Sequence, residues 1–206
     1  MTSQRKRLSI LLALNVSMIA GLVVVGLVAH SLGVLAAGSD YIADSAAILL
    51  GILAVTIRER VGDDSRAPTY VAIINAAALL LVTVLVVTEA LHRLVQGTPP
   101  VQGLPVLIVS AIATAVMVLG VFILGTNAGE EDLHMRSVLL DTASDALASA
   151  AVAASGAVIA ITGSFYWLDP VLAAGIGVVI GYGAVRLLRD ALTSLRLGSP
   201  LHIDAD

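Results

Sequence analysis

Residues 103–126 read GLPVLIVSAIATAVMVLGVFILGT, an uninterrupted run with no charged side chain, and this stretch decides the fold class. A helix crossing a bilayer needs about 20 mostly apolar residues, and this run exceeds that. Working outward from it, comparable runs lie at about 8–29, 32–57 and 68–94 on one side and at about 135–163 and 168–190 on the other. Six such spans consume almost all of the 206 residues. Composition agrees: 58% of residues are hydrophobic, 13% are charged and the mean hydropathy is +1.00, far too apolar for a water-soluble domain of this size. The predicted fold is therefore an all-α integral membrane protein of six transmembrane helices. Residues 1–200 form one transmembrane domain, 201–206 a short tail, and no cytoplasmic C-terminal domain is expected.

The first run follows Arg5, Lys6 and Arg7, but it outlasts the roughly 7–15 residues of a signal-peptide core and leads straight into a second span. It reads as the first membrane helix. Lys and Arg in short loops set membrane orientation. With both termini in the cytoplasm, ten of the eleven basic residues fall inside: Arg5, Lys6, Arg7, Arg58, Arg60, Arg66, Arg136, Arg186, Arg189 and Arg196, with Arg93 outside. Turn residues punctuate the spans at His30-Ser31, 62–68, 97–100, 129–132 and 163–170, where Trp167 is an interfacial anchor. The fifth span is rich in Ala, Ser and Gly and the sixth carries Gly175, Gly177, Gly181 and Gly183, small faces that allow close helix packing in lipid.

The informative residues are acids inside these spans. A charge at the bilayer centre costs about 2.5–3.5 kcal/mol even on insertion scales. Asp40 and Asp44 stand four residues apart, as do Asp141 and Asp145, so each pair projects from one helix face about one turn, or ~6 Å, apart. Two facing pairs make a four-oxygen cage. Both intervals between the pairs, Asp40 to Asp141 and Asp44 to Asp145, are 101 residues, compatible with two three-helix halves of opposite orientation. From the estimated span centres, however, Asp40 lies outward and Asp141 inward, so convergence calls for tilt, a bend or shifted boundaries. No basic residue lies in the apolar part of a span, so protons or a cation must offset the four carboxylates. A divalent ion does this directly, and because its ligands must be ionised, binding expels protons. The chain has no cysteine, so a metal here is held by oxygen or imidazole.

Two segments, HSLGVLAAGSDYIADS at 30–45 and LDTASDALAS at 140–149, together with Trp167-Leu-Asp-Pro170 and the exit from Arg186 to Pro200, resemble the cation diffusion facilitator family. The resemblance covers nearly the whole chain. It implies export of divalent metal ions in exchange for protons, through a central site formed by Asp40, Asp44, Asp141 and Asp145. Zinc-selective members carry His at the position of Asp141, whereas this site is all carboxylate. Zinc, with cadmium beside it, is the expected cargo, and an exporter of Mn²⁺ or Fe²⁺ is the alternative, since oxygen ligands suit harder ions. Members usually append a cytoplasmic metal-binding domain that supports dimerisation. None is expected here, so a homodimer is expected to rest on membrane and loop contacts.

The metal is substrate, and no prosthetic group or nucleic acid is expected. No nucleophile and base arrangement, phosphate loop or cofactor motif points to an enzyme. A non-transporting scaffold holding a structural cation and an ion channel are the rival readings. His30, His92, His134 and His202 sit near span ends. Glu130, Glu131 and Asp132 read as a solvated acidic turn, as do Asp63 and Asp64, and Glu89 as a wet outer-end residue. Asn15 and Asn75 read chiefly as packing amides, with contact to the site as the alternative. The expected location is the bacterial inner membrane.

Overall fold

The computed structural model describes the backbone of residues 3–61, 67–125 and 133–197, and side chains at 13, 16–43, 45, 46, 49, 69, 70, 72–122, 139 and 142–196. Six helices follow one another: α1 (Ser3–Val28), α2 (Leu32–Val61), α3 (Ala67–Gln96), α4 (Gly103–Gly125), α5 (Leu133–Thr162) and α6 (Leu168–Leu197). These are the six spans expected from hydropathy, with most ends shifted by a few residues and α6 extended furthest. Ala72–Gln96, Gly103–Phe122, Thr142–Thr162 and Leu168–Arg196 are each long and apolar enough to cross a membrane. The described apolar parts of α1 and α2, Val16–Val28 and Leu32–Ala43, are shorter. Large apolar side chains cover the outside of the bundle, among them Leu81, Phe122, Leu147, Ile161 and Val179, all exposed to where lipid would lie.

Connections of three to six residues join α1 to α2, α3 to α4 and α5 to α6, all at one end of the bundle, which we call the outer end. Each preceding helix closes with a left-handed residue. His30 (φ 56°) ends α1 in a Schellman arrangement: Ser31 N donates to Gly26 O at 3.0 Å and His30 N to Leu27 O at 3.3 Å. Gly97 and Gly163 end α3 and α5 with single bonds back to Arg93 O and Ile159 O. Terminal carbonyls that would otherwise be unpaired at the membrane surface are thus satisfied.

Packing divides the bundle unevenly. The most extensive contacts are α4 on α5 and α3 on α6. α1 packs on α2 and α4, while α2 also touches α3, α6 and, over a short length, α5. One buried cluster joins α1, α2, α4 and α5 through Leu22, Val34, Tyr41, Val106, Met117 and Val152. A smaller one joins α2, α3 and α6 through Leu32, Ala36, Ala90 and Ala173. Helix α2 is common to both, so it links a four-helix group to the α3–α6 pair.

The α4–α5 contact depends on two glycines. A Cβ on Gly103 would lie 2.4 Å from Ala160 N and 2.6 Å from Gly156 O, and one on Gly156 would lie 2.6 Å from Leu107 N. Backbone meets backbone here, the close approach that small residues permit where association rests on van der Waals packing. In α6 the four glycines divide: Gly177 and Gly181 lie against Val87 and Thr83 of α3, whereas Gly175 and Gly183 have open space before them.

Candidate metal-transport site

The four predicted ligands lie on α2 and α5, and the register between these antiparallel helices decides whether they can meet. The approach of Gly33 to Val152 gives a register, and the long Tyr41 side chain bridges the same two helices further along. A Cβ on Gly33 would approach Val152 Cγ1 at 3.6 Å, and Tyr41 Oη lies 3.1 Å from Ser149 Oγ in a buried hydrogen bond. Asp40 lies seven residues inward of Gly33 on α2, and Asp145 lies seven residues inward of Val152 on α5. Seven residues at 3.6 per turn fall about 20° short of two turns, so Asp40 and Asp145 return to the facing strip at the same depth, roughly 10 Å below the Gly33–Val152 contact. Positions 44 and 141 lie eleven residues from the same two anchors, about 20° past three turns, and come level with each other one turn deeper.

By ideal helix geometry the matched depths are therefore crosswise, position 40 with 145 and position 44 with 141. This answers the difficulty raised by the span centres: Asp40 need not descend to Asp141, because its counterpart in depth is Asp145. Asp40 is partly buried and Asp145 is 8% exposed. The side chains of Asp44 and Asp141 lie outside the described residues, as do those of Asn15 and His134 and all of Asp63, Asp64, Glu130, Glu131, Asp132 and His202. Among the described residues no group of three or more His, Cys, Asp or Glu side chains comes together.

Near the two described acids, α2 and α5 carry several polar side chains. Tyr41, Ser45, Thr142 and Ser149 are all buried. Ser45 Oγ has no hydrogen-bond partner among the described residues, and burying such a hydroxyl costs about 1–3 kcal/mol. Val34, Tyr41 and Val152, each no more than 1% exposed, belong to the larger buried cluster on this side of the bundle.

Several residues acquire roles that their types and spacing did not disclose. Tyr41 bridges α2 to α5. Asp169, quoted only as part of a familiar segment, is wholly buried and accepts bonds from Ser31 Oγ, Leu32 N (2.7 Å) and Gly33 N (3.1 Å). In sequence an acid in the first turn of a helix is unremarkable, because it complements the helix dipole. Glu89 is exposed as expected and pairs with Arg93 at 2.9 Å, while Arg93 also donates to His30 O at 2.8 Å. His30 and His92 are exposed at the outer end. Asn75 is partly buried on α3, whose main partner is α6.

The model of the cation efflux transmembrane domain matches residues 8–196. The chain belongs to the cation efflux, or cation diffusion facilitator, family. Among other members, the zinc transporter ZitB of Yersinia pestis is 32% identical over 210 residues, covering 98% of this chain and 66% of that protein. The zinc transporter ZitB of Escherichia coli K12 is 32% identical over 192 residues, 88% of this chain and 59% of its own length. A cadmium, cobalt and zinc/H(+)-K(+) antiporter of Bacillus subtilis 168 is 25% identical over 204 residues, 94% and 65% respectively. This cation efflux chain thus spans somewhat less than two thirds of the length of these relatives. With its apolar membrane-spanning helices and bacterial kin, it is an integral protein of the bacterial inner membrane.

Proposed function

We propose that the chain exports divalent transition-metal ions from the cytoplasm, zinc first and cadmium beside it, in exchange for protons, through Asp40, Asp44, Asp141 and Asp145. The observation that supports this reading is the contact of α2 with α5 near Asp40 and the buried Asp145, through Gly33 beside Val152 and the Tyr41–Ser149 hydrogen bond. The names of the relatives support zinc and cadmium as cargo. The bias of basic residues puts the two chain ends and the deeper pair, 44 and 141, toward the cytoplasm.

On this reading a metal ion enters from the cytoplasmic side and its positive charge offsets carboxylates that would otherwise repel one another in a poorly solvated site. Release outward requires Val34, Tyr41 and Val152 to part, which a rocking of α2 against α5 accomplishes. Protons arriving from outside then neutralise the acids, weaken their hold on the metal and return the site to its starting charge. Exchange of one divalent ion for one proton moves a net charge, worth ~2.3 kcal/mol at 100 mV, whereas exchange for two does not.

The donor set favours a second reading of the same machinery. Four carboxylates and no imidazole are hard ligands, which suit Mn²⁺ or Fe²⁺, although Zn²⁺ accepts oxygen and binds more strongly than either in the general order. Metal-driven proton flux in sealed liposomes, scanned over Zn²⁺, Cd²⁺, Mn²⁺ and Fe²⁺, separates the two. Flux with zinc and cadmium that Asp40→Asn and Asp145→Asn abolish is the expected result. No flux with any ion from correctly inserted protein sinks the transporter reading and leaves the scaffold.

A further inference from the structure

Helix α2 begins at the outer end with its first backbone N–H groups needing acceptors in a region where water is scarce. Each can be accounted for. Val34 N donates to Ser31 Oγ at 3.1 Å and Leu35 N to Ser31 O at 3.3 Å, the ordinary work of a serine cap. Leu32 N and Gly33 N are left over, and both donate to the carboxylate of Asp169, which also accepts from Ser31 Oγ. The cap of α2 is thus completed by a residue more than 130 positions away, in the first turn of α6. That carboxylate is wholly buried and sits at the positive dipole ends of two helices at once. Gly33 lies directly beneath it: a Cβ there would stand 3.1 Å from Asp169 Oδ1.

We infer that Asp169 is a positioning residue for the metal site: by clamping the outer end of α2 onto α6, it sets the depth and rotation at which Asp40 faces Asp145. The inference rests on the proposed transport site, and its physical basis is the shared anchor. Gly33 is bonded to Asp169 and is also the residue whose approach to Val152 sets the α2–α5 register. A straight helix transmits displacement along its length, so a slip or turn at residues 32 and 33 is carried two turns down to Asp40. The α2–α5 contact is short and cannot hold that register over a long interface. Asn at 169 is a demanding probe. It keeps one acceptor but turns an amide N–H₂ toward backbone N–H groups that need an oxygen.

The chain has no cysteine, so spin labels can be placed at Ile42→Cys on α2 and Leu147→Cys on α5, both exposed and outside the site. In lipid nanodiscs, Asp169→Asn should shift or broaden the distance between the labels and weaken Zn²⁺ binding about tenfold by calorimetry, a change of ~1.4 kcal/mol. Ser31→Ala, which removes one of the three bonds to Asp169 and the cap bond from Val34 N, should move both readouts in the same direction by less. Thr83→Ala, a buried change between α3 and α6, should leave both as in the parent chain. A variant at 169 that melts earlier, yet keeps the parental distance and affinity while folded, overturns the inference and leaves Asp169 merely structural. If Asp169→Asn does not fold, Ser31→Ala decides by the same two readouts. If the parent chain itself binds no Zn²⁺, the transport reading fails, and the label distance alone still decides whether Asp169 positions α2.

Discussion

Helix α5 has two working faces, and they are built on opposite plans. Toward α4 it presents Gly156 against Gly103, backbone on backbone, with no room for a single methyl group. Toward α2 it presents Thr142, Asp145 and Ser149, touches over a short length, and is bridged by the Tyr41–Ser149 hydrogen bond. Glycine contacts gain van der Waals energy only at one separation and one rotation, so the first face holds α5 rigidly to α4. Polar side chains on the second can exchange one partner for another. The proposed transport needs both, a fixed seam to carry the load and a yielding one to hold and release an ion.

That contrast can be broken from either side. The largest effect is expected at Gly156→Val: the added atoms would overlap α4 backbone, and overpacking that cannot be relieved by a side chain exceeds the usual ~1–3 kcal/mol. Little folded protein should survive detergent extraction and size-exclusion chromatography. Gly175→Ala on α6, which faces open space, is the matched control and should extract like the parent.

Next in size is the loss of an acid from the yielding seam. Asp145→Asn should cut Zn²⁺-driven proton flux at least a hundredfold, with a folded yield equal to or above the parent's, since a neutral amide escapes the ~2.5–3.5 kcal/mol cost of a charge in the membrane. A flux above one tenth of the parent's would remove Asp145 from the site. Asp40→Asn should behave alike if the crosswise register is right, and a normal flux from it would confine the site to the deeper pair.

Smaller again is the bridge. Hydrogen bonds between helices in a membrane average about 0.6 kcal/mol, so Tyr41→Phe and Ser149→Ala should each change unfolding or Zn²⁺ affinity by roughly threefold. In a double-mutant cycle the two changes should not add. Full additivity would mean that the bond contributes nothing to the seam, leaving α2 held near α5 by apolar contacts such as Gly33 with Val152.

The number and type of elements were legible because a membrane helix announces itself locally. Apolar runs such as 103–126 cannot be anything else at that length, and the i,i+4 spacing of the acids places each pair on one face of its own helix. The glycines of α5 and α6 pointed to close packing, but not to which would be used: Gly156 and Gly177 are in tight contact and Gly175 is not. The sequence reading also gave Asp169 no separate role, because a first-turn acid looks the same whether it serves its own helix or a neighbour's.

What this sequence determined by itself is the set of spans, their basic-residue bias and the presence of two acid pairs within the membrane, all properties of short segments and their periodicity. What only the tertiary structure decided is how those segments are placed against one another: Gly33 of α2 beside Val152 of α5, the Tyr41–Ser149 bond, the Gly103–Gly156 seam, and the carboxylate of Asp169 completing the cap of α2. The physical reason is that helical period is written every few residues, whereas register depends on contacts between residues more than a hundred positions apart. A shift of one turn would leave every local pattern unchanged while moving the acids out of line.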